Sequence, residues 1–209
     1  MSRPAIACLA GTLALVLALS GLTVRAVVGG RGGTPPAGPY GVGLLNDGTL
    51  ASAGLIMASQ EGYGPLLQVS LVVWRGVGAK AKIVYRKEIG WGWTGTLTPA
   101  QLTGSDSVEL FVYVDGQKPE AEVLRFRGSK PSVLYHLDGG RPLKVEPRDR
   151  PGVATCAMDI VEFWDPWHLG LKNDPRVKGR AYALRVFRWN GRKYVLHHIE
   201  GSDCLGGED

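Results

Sequence analysis

The sequence lacks the short motifs by which many enzymes are recognised. It contains no GxSxG, no HExxH, no glycine-rich phosphate loop and no dinucleotide-binding fingerprint. Two of its four histidines, His197 and His198, are adjacent, so on a strand they point to opposite faces. Asp159 and Glu162 do not stand out as a glycosidase pair, because any two carboxylates can meet in a β fold. We therefore predict that the chain is not an enzyme.

Long runs of like charge are also missing. The 24 Lys and Arg residues outnumber the 19 Asp and Glu residues, which gives a formal net charge of +5, but the positive residues are spread along the chain. No segment resembles a DNA-reading helix or an RNA-binding signature. The basic composition therefore predicts a solvated surface and no nucleic-acid partner.

Amphipathic helical periodicity is absent beyond residue 42. The 30 glycines and 13 prolines favour a protein with many turns. Apolar and polar residues alternate in β-branched and aromatic runs, which predict an all-β domain of roughly ten to twelve strands. Residues 49–59, TLASAGLIMAS, fit either a short helix or a buried strand. The strand-like runs cover residues 66–76, 80–89, 107–116, 121–128, 132–139, 155–164, 181–191 and 193–201.

The N-terminal segment, residues 1–26, has the composition of a targeting signal. Arg3 precedes an uncharged run from Pro4 to Val24, and cleavage after Ala26 fits the small-residue rule loosely. The run also approaches the ~20 residues of a membrane-spanning helix, so an uncleaved signal anchor is the alternative to a signal peptide. Residues 27–41 are rich in Gly and Pro and predict a linker. Residues 42–209 are then an extracytoplasmic domain, secreted or held at the membrane by the N-terminal segment.

Only two of the three cysteines, Cys156 and Cys204, lie beyond the N-terminal segment. In an oxidising compartment two cysteines most simply form one disulfide. That bond closes a loop of roughly 50 residues and stabilises the fold by about 4 kcal/mol on the chain-entropy model. Two buried free thiols are the alternative, and a zinc site is disfavoured because no CxxC pair is present.

One phrase occurs three times in the strand-rich region. In each copy an aromatic residue stands two positions before a glycine, and an aromatic residue or a histidine follows in the next strand. The copies recur at intervals of roughly 50–60 residues, the size of a four-stranded β-propeller blade. We expect the aromatic residue to fill the space between sheets and the glycine to supply the positive φ of a hairpin; unrelated hairpins with the same turn chemistry are the alternative. The three copies are Trp74–Gly76–Tyr85, Phe126–Gly128–Tyr135 and Trp189–Gly191–His197.

The segment AQLTGSDSVELFVYVDGQKPEAEVLRFRGSKPSVLYHLDGG, residues 100–140, resembles one unit of the FG-GAP or VCBS-type repeats, which build integrin-α-like propellers and many exported bacterial proteins. CAMDIVEFW and LRVFRWNGRKYVLHHIEG resemble the same plan with an insertion between them. The resemblance covers residues 66–200 and implies antiparallel four-stranded, blade-like units, here 42–97, 98–147 and 148–209. Because closed propellers use about four to eight blades, it implies an open stack of sheets, a sandwich, or a ring completed by self-association.

In that family an Asp-rich loop often binds Ca²⁺, and this sequence departs from the loop. Gln101 and Thr103 stand where the first two Asp residues belong. Only Asp106 and Glu109 remain as weak calcium candidates, and two carboxylates make a poor calcium cage. The ligand count therefore favours a polar-tipped turn, with no cofactor or metal.

Two aromatic clusters are the candidate binding residues. Trp91 and Trp93 are two positions apart and share a face if both lie on a strand, where exposed rings stack on sugars or on a partner protein; the alternative is burial. Trp164, Trp167 and His168 lie in FWDPWH, at the start of a predicted long loop, where binding residues tend to gather. We predict a non-enzymatic binding or structural module of the cell envelope whose partner is an extracytoplasmic protein or a carbohydrate. The alternative is an envelope hydrolase or sugar-active enzyme with its site in residues 163–180.

Overall fold

The computed structural model describes residues 27–28, 41–44, 50–59, 64–76, 82–105, 107–128, 130–150 and 157–205. These residues form β-strands joined by turns and contain no α-helix. The all-β prediction is confirmed for this part of the chain. The predicted N-terminal helix and residues 29–40 of the predicted linker lie outside the described residues. The strands are β1 (Val27–Val28), β2 (Gly41–Leu44), β3 (Leu50–Ser59), β4 (Leu67–Arg75), β5 (Lys82–Gly92), β6 (Thr94–Ala100), β7 (Glu109–Asp115), β8 (Glu120–Arg127), β9 (Lys130–His136), β10 (Lys144–Asp149), β11 (Met158–Trp164), β12 (Tyr182–Trp189) and β13 (Tyr194–Ser202).

Eleven of these strands, β3 to β13, form three antiparallel sheets in chain order. The first sheet is β3-β4-β5, and the short strands β1 and β2 both pair with β3, β1 in parallel. The second sheet is β6-β7-β8-β9 and the third is β10-β11-β12-β13. In the described part of the chain the first and last strands of a sheet do not pair with each other, so no sheet closes into a barrel.

Two apolar cores hold the three sheets together. The first lies between the first and second sheets and includes Leu71 and Val112, which are fully buried. The second lies between the second and third sheets and includes Val123 and Ile160. Each such side chain contributes roughly 1.5–3 kcal/mol when it leaves water completely. Gly95 of β6 permits the close approach of the first pair of sheets, because a Cβ there would lie 2.8 Å from Leu55 Cδ1.

The glycine of the repeated phrase has the same structural role in each sheet. Gly76, Gly128 and Gly191 lie in the turns before β5, β9 and β13, with φ of 87°, 63° and 94°. These are left-handed values that favour glycine, so the predicted role of the glycine is confirmed. Phe126 packs in the first core with its ring edge-on to Tyr85, at 5.3 Å between centroids. Trp189 packs against the second core, and Arg125 of the second sheet lies 5.3 Å from the centre of its ring.

The outer face of the third sheet carries a small apolar cluster of its own. Phe163 and Val161 are fully buried there, beside Leu184 and Val186. Lys144 and Arg148 of the edge strand β10 lie over the ring of Phe163. Their long side chains cover apolar surface while the charged ends reach water.

Candidate functional site

The segment between β11 and β12, residues 165–181, is a compact series of turns. Asp165 begins it, and its Oδ1 accepts a 2.8 Å hydrogen bond from the backbone N–H of Trp167. The N–H of Leu171 then donates to the carbonyl of Pro166 at 2.9 Å. Asp and Pro favour turns because Asp bonds to its own backbone and Pro fixes φ. The chain therefore turns back on itself and forms an ordered loop.

Apolar side chains anchor this loop to the body of the protein. Val177 is buried in the core between the second and third sheets, and Leu169 and Leu171 pack against that core. At the far end of the loop Arg176 donates two hydrogen bonds to the carboxylate of Asp174, at 2.9 and 2.6 Å. These bonds and the backbone N–H of Arg176 lower the pKa of Asp174 to about 2. Apolar anchors and local hydrogen bonds thus fix the shape of the loop.

The loop itself lines a partly open groove of about 550 Å³. That volume lies within the range of roughly 300–1,000 Å³ that is usual for small-molecule sites. Three of its lining side chains are cationic and one is acidic. The lining residues are Asp165, Pro166, Trp167, Lys172, Asn173, Val177, Lys178, Gly179, Arg180 and Ala181.

Trp167 is the prominent apolar side chain of the groove. It is 68% exposed, which is uncommon for a residue of its size. The Nζ of Lys172 lies 3.8 Å from the centre of its ring. A cation over the face of a Trp ring is attracted by the ring quadrupole and restricts the orientation of the ring. The groove therefore presents a positioned aromatic surface in water.

Two further cationic residues, Lys178 and Arg180, line the groove. Arg180 donates to Asp203 Oδ2 at 2.5 Å, and Asp203 Oδ1 accepts a 3.2 Å hydrogen bond from the backbone N–H of Ala181. The bond from Arg180 and that from Ala181 lower the pKa of Asp203. Lys178 has no acidic partner within the part of the chain that the structure describes. The groove therefore has a positive rim, to which Lys172, Lys178 and Arg180 contribute.

The predicted aromatic residues of this region separate in the structure. Trp164 was expected in the loop, but it is the last residue of β11 and is only 4% exposed. Its indole N–H donates to Glu162 at 2.8 Å, because a buried Trp needs a partner for this group. Trp164 is therefore part of the core. Trp167 and His168 are exposed, and His168 Nδ1 lies 4.0 Å from Asp165 Oδ2. The role of Trp167 and His168 in binding stays a prediction.

Trp91 and Trp93 lie where the first sheet passes into the second. β5 ends at Gly92, so only Trp91 is on the strand, and the expected shared strand face does not extend to Trp93. Trp91 is half-buried, whereas Trp93 is 47% exposed and its backbone N–H donates to Asp115 at 2.8 Å. The structure separates these residues from the groove lining.

The weak calcium candidates do not form a cage in the described residues. Glu109 is fully buried, and its oxygens accept hydrogen bonds from Arg125 Nε at 2.9 Å and from the backbone N–H of Thr103 at 3.2 Å. Asp106 lies outside the described residues. In the rest of residues 53–205 for which side chains are described, no three His, Cys, Asp or Glu side chains gather around one point. Glu109 is thus a structural carboxylate that holds Arg125 in place.

The predicted disulfide falls partly outside the described residues. Cys204 is half-buried just after β13, and its backbone N–H donates to Ser202 Oγ at 3.1 Å. Cys156 is not among the described residues. The bond between Cys156 and Cys204 therefore stays a prediction.

Histidines on β13 lie on the third sheet, away from the groove lining. His198 and Glu200 lie two positions apart on β13, with 3.2 Å between Nε2 and Oε2. The pairing of β12 with β13 skips His197, which forms a bulge. The bulge brings the two His rings into an edge-on contact, at 5.0 Å between centroids, which simple alternation does not predict. His197 Nε2 bonds to Arg188 at 2.7 Å.

The aromatic pattern that predicts this site does not predict the cationic residues of the groove. A signal for them exists: the segment DPWHLGLKNDPRVKGR carries twice as many Lys and Arg as Asp residues. Lys178 and Arg180 lie close together at its end. A local excess of positive charge favours an anionic partner over a cationic one.

Comparison with protein-family models, with curated proteins and with solved structures gave no match to this chain. A helix with the length and apolar character of a membrane span is not found among the described residues. In the residues that the structure describes, the chain is an all-β protein of three antiparallel sheets with a cationic, aromatic groove.

Proposed function

We propose that this chain is an exported or membrane-tethered, non-enzymatic binding module of the cell envelope, and that residues 165–181 form its recognition surface. The observation that carries this proposal is Trp167, which is 68% exposed on an anchored loop beside a groove of about 550 Å³. Binding residues are commonly placed on loops that a rigid scaffold positions. Trp is enriched at interfaces, because its ring is apolar and its N–H is polar.

The scaffold is proposed to be a set of degenerate FG-GAP or VCBS-like units, arranged as a partial propeller or a stack of sheets. Equivalent glycines with positive φ at 76, 128 and 191 support this, since they recur before the last strand of each sheet. Phe126 and Trp189 support it as well, because each packs toward the preceding sheet. One small sheet cannot cover both of its faces, so units of this kind stack on their neighbours.

The positions of the acidic side chains favour binding over hydrolysis. Asp165 is the only acid that lines the groove in the described residues. A glycosidase needs two carboxylates on either side of the bond that it cleaves. The buried acids Glu109, Glu122, Asp159 and Glu162 bind Arg, Lys, His, Tyr or Trp side chains in the sheets. They hold the fold together and do not converge on the groove.

The test of location is the mass of the protein purified from a cell-envelope fraction, before and after reduction and thiol alkylation. We expect either a chain that begins near Val27 and whose thiols react only after reduction, or an intact chain in the membrane fraction in which Cys8 alone reacts before reduction. An intact chain that is soluble in the cytoplasm contradicts export. Alkylation of Cys156 or Cys204 without reduction contradicts the disulfide and leaves the binding proposal unaffected.

The test of recognition is retention of the purified protein on washed, protein-free cell-envelope polymer. We expect Trp167→Ala to abolish retention and Trp93→Ala to preserve it, because both rings are exposed but only Trp167 lines the groove. Equal retention of the wild type and Trp167→Ala would rule out residues 165–181 as the recognition surface.

A further inference from the structure

We infer that the groove binds an anionic saccharide chain, with a sugar ring stacked on Trp167 and the acidic groups of the chain held by Lys172 and Lys178. This inference rests on the proposed function, because it names the ligand class of the same surface.

The aromatic surface selects for a sugar ring. Trp167 is 68% exposed, so a wide apolar face meets water at the groove. The C–H face of a pyranose ring is flat and weakly apolar, and it covers such a surface while its hydroxyls remain solvated. Asn173 also lines the groove, and its amide can donate to and accept from those hydroxyls. Lys172 lies 3.8 Å from the Trp167 ring and restricts its orientation. Less conformational entropy is therefore lost when a ligand binds to the ring.

The charge of the groove selects for an acidic chain. The groove lining contains three cationic residues and one acidic residue, Asp165. Asp165 already accepts a hydrogen bond from the backbone N–H of Trp167. Arg180 is engaged by Asp203. Lys172 and Lys178 have no acidic partner in the described residues, so their ammonium groups are open to a carboxylate, sulfate or phosphate of a ligand. A neutral sugar leaves these charges unused.

The shape of the groove suits a chain in preference to a single small molecule. The groove is partly open to solvent. An enclosed pocket surrounds most of its ligand, whereas an open groove lets a polymer continue at both ends. The loop is anchored by Val177 and by the Asp174–Arg176 pair, so the positions of the ring and the cations are set before binding.

The experiment measures the affinity of the full-length purified protein for a hexameric galacturonate oligosaccharide by calorimetry, with the fully methyl-esterified hexamer as the neutral match. We expect binding of the acid form and at least ~10-fold weaker binding of the ester, because the ester removes every charge and keeps the rings. Trp167→Ala is expected to weaken binding about tenfold or more, and Trp167→Phe less, because Phe keeps a smaller ring.

A matched pair of double variants separates the groove from general surface charge. Lys172→Gln with Lys178→Gln removes two charges from the groove, and Lys130→Gln with Lys193→Gln removes two exposed charges elsewhere. We expect the first pair to weaken binding at least about tenfold and the second less than about twofold. Equal losses in the two pairs overturn the inference in favour of diffuse charge attraction. Unfolding curves confirm that each variant is folded.

Three further outcomes show which part of the proposal is wrong. If a hexameric glutamate peptide binds as tightly as the galacturonate hexamer, the ligand class is an acidic peptide and the saccharide inference is overturned. If neither oligosaccharide binds but Trp167→Ala still abolishes retention on the envelope polymer, the recognition surface stands and the anionic saccharide is wrong. If that variant is retained like the wild type, the proposed function fails together with the inference.

Discussion

The hydroxyl of Tyr135 donates a 2.7 Å hydrogen bond to Glu162, and this bond joins the second sheet to the third. Glu162 is 1% exposed and also accepts from Trp164 at 2.8 Å, while Arg185 lies 3.2 Å from its second oxygen. Burial raises the pKa of Glu162, and its bonds to Tyr135, Arg185 and Trp164 oppose that shift only in part. The hydrogen-bonding capacity of this buried carboxylate is met by three donors. Removal of one donor therefore lowers the stability of the folded state.

Tyr135→Phe is expected to lower the free energy of unfolding by about 1–3 kcal/mol, because it leaves a buried carboxylate oxygen without its donor. Urea denaturation measures the change. The matched control is Tyr113→Phe. Burial raises the pKa of Tyr113 to about 12, and its buried hydroxyl has no hydrogen-bond partner among the described residues. Its removal is expected to leave stability unchanged or slightly higher. Equal losses in the two variants contradict the role given to the Tyr135 bond.

The stability of the protein is expected to depend on the ionisation of Glu162. Its pKa is higher in the folded state than in the unfolded chain, so its contribution is full below the ordinary Glu pKa and is lost as pH rises through the raised value. Glu162→Gln removes this dependence. The free energy of unfolding of the variant, relative to the wild type, should therefore rise between about pH 4 and about pH 7. Urea titrations across that range test it, and a difference that is constant or falls with pH contradicts it.

The strands that could be predicted from the sequence are those in which apolar and polar side chains alternate. The eight strand-like runs correspond to β4, β5, β7, β8, β9, β11, β12 and β13. β6 and β10 were missed because they are edge strands, which tolerate proline and charge. Pro99 lies in β6 and Pro147 in β10, and each weakens the strand pattern. The ambiguous segment 49–59 is strand β3, whose pairing with β4 decides what periodicity leaves open.

The candidate site was located by sequence only in outline. Trp167 was found because an aromatic residue stands out in a Pro- and Gly-containing insertion. Trp164 was misplaced, because a run that ends in aromatic residues does not show where the strand stops. Lys172 over the Trp167 ring is a tertiary contact set by turns within the loop, and no periodic pattern encodes such a contact. The bulge at His197 is likewise a property of strand pairing.

Asp159 of β11 binds two arginines, Arg188 of β12 and Arg150, which directly follows β10. Arg150 donates to it at 2.8 Å and Arg188 at 2.9 Å, and Asp159 is 5% exposed. Burial alone raises the pKa of Asp159, but the hydrogen bonds from Arg188 and Arg150 outweigh burial and lower it. The stabilisation is therefore present above the ordinary Asp pKa and is lost as pH falls through the lowered value.

Asp159→Asn is expected to lower the free energy of unfolding at neutral pH by about 1–3 kcal/mol, a range reduced to allow for the partial exposure of Arg188. The comparison variant is Asp203→Asn, in which an exposed acid loses its pair with Arg180. We expect no measurable change there, because water screens exposed pairs. Urea denaturation of both proteins at neutral pH decides the point, and equal effects would contradict the importance of burial at Asp159.

Alanine substitution at two neighbouring glycines, Gly139 and Gly140, distinguishes the cost of backbone strain from the cost of side-chain crowding. Gly139 and Gly140 both have positive φ, of 68° and 82°. A Cβ on Gly140 would lie 2.3 Å from Cη2 of the buried Trp164, whereas a Cβ on Gly139 would meet nothing within 4 Å. Both alanine variants carry the cost of a left-handed residue, about 1–2 kcal/mol, and Gly140→Ala adds about 1–3 kcal/mol of overpacking against the indole.

Gly140→Ala is therefore expected to unfold at clearly lower urea concentration than Gly139→Ala. The fluorescence of the displaced Trp164 should change in the first variant alone, because the indole packs against Gly140 and has no such contact with Gly139. Equal midpoints would mean that Trp164 moves aside at little cost. In that event the bond from its indole to Glu162 is not rigid, and the loss expected for Tyr135→Phe should shrink as well.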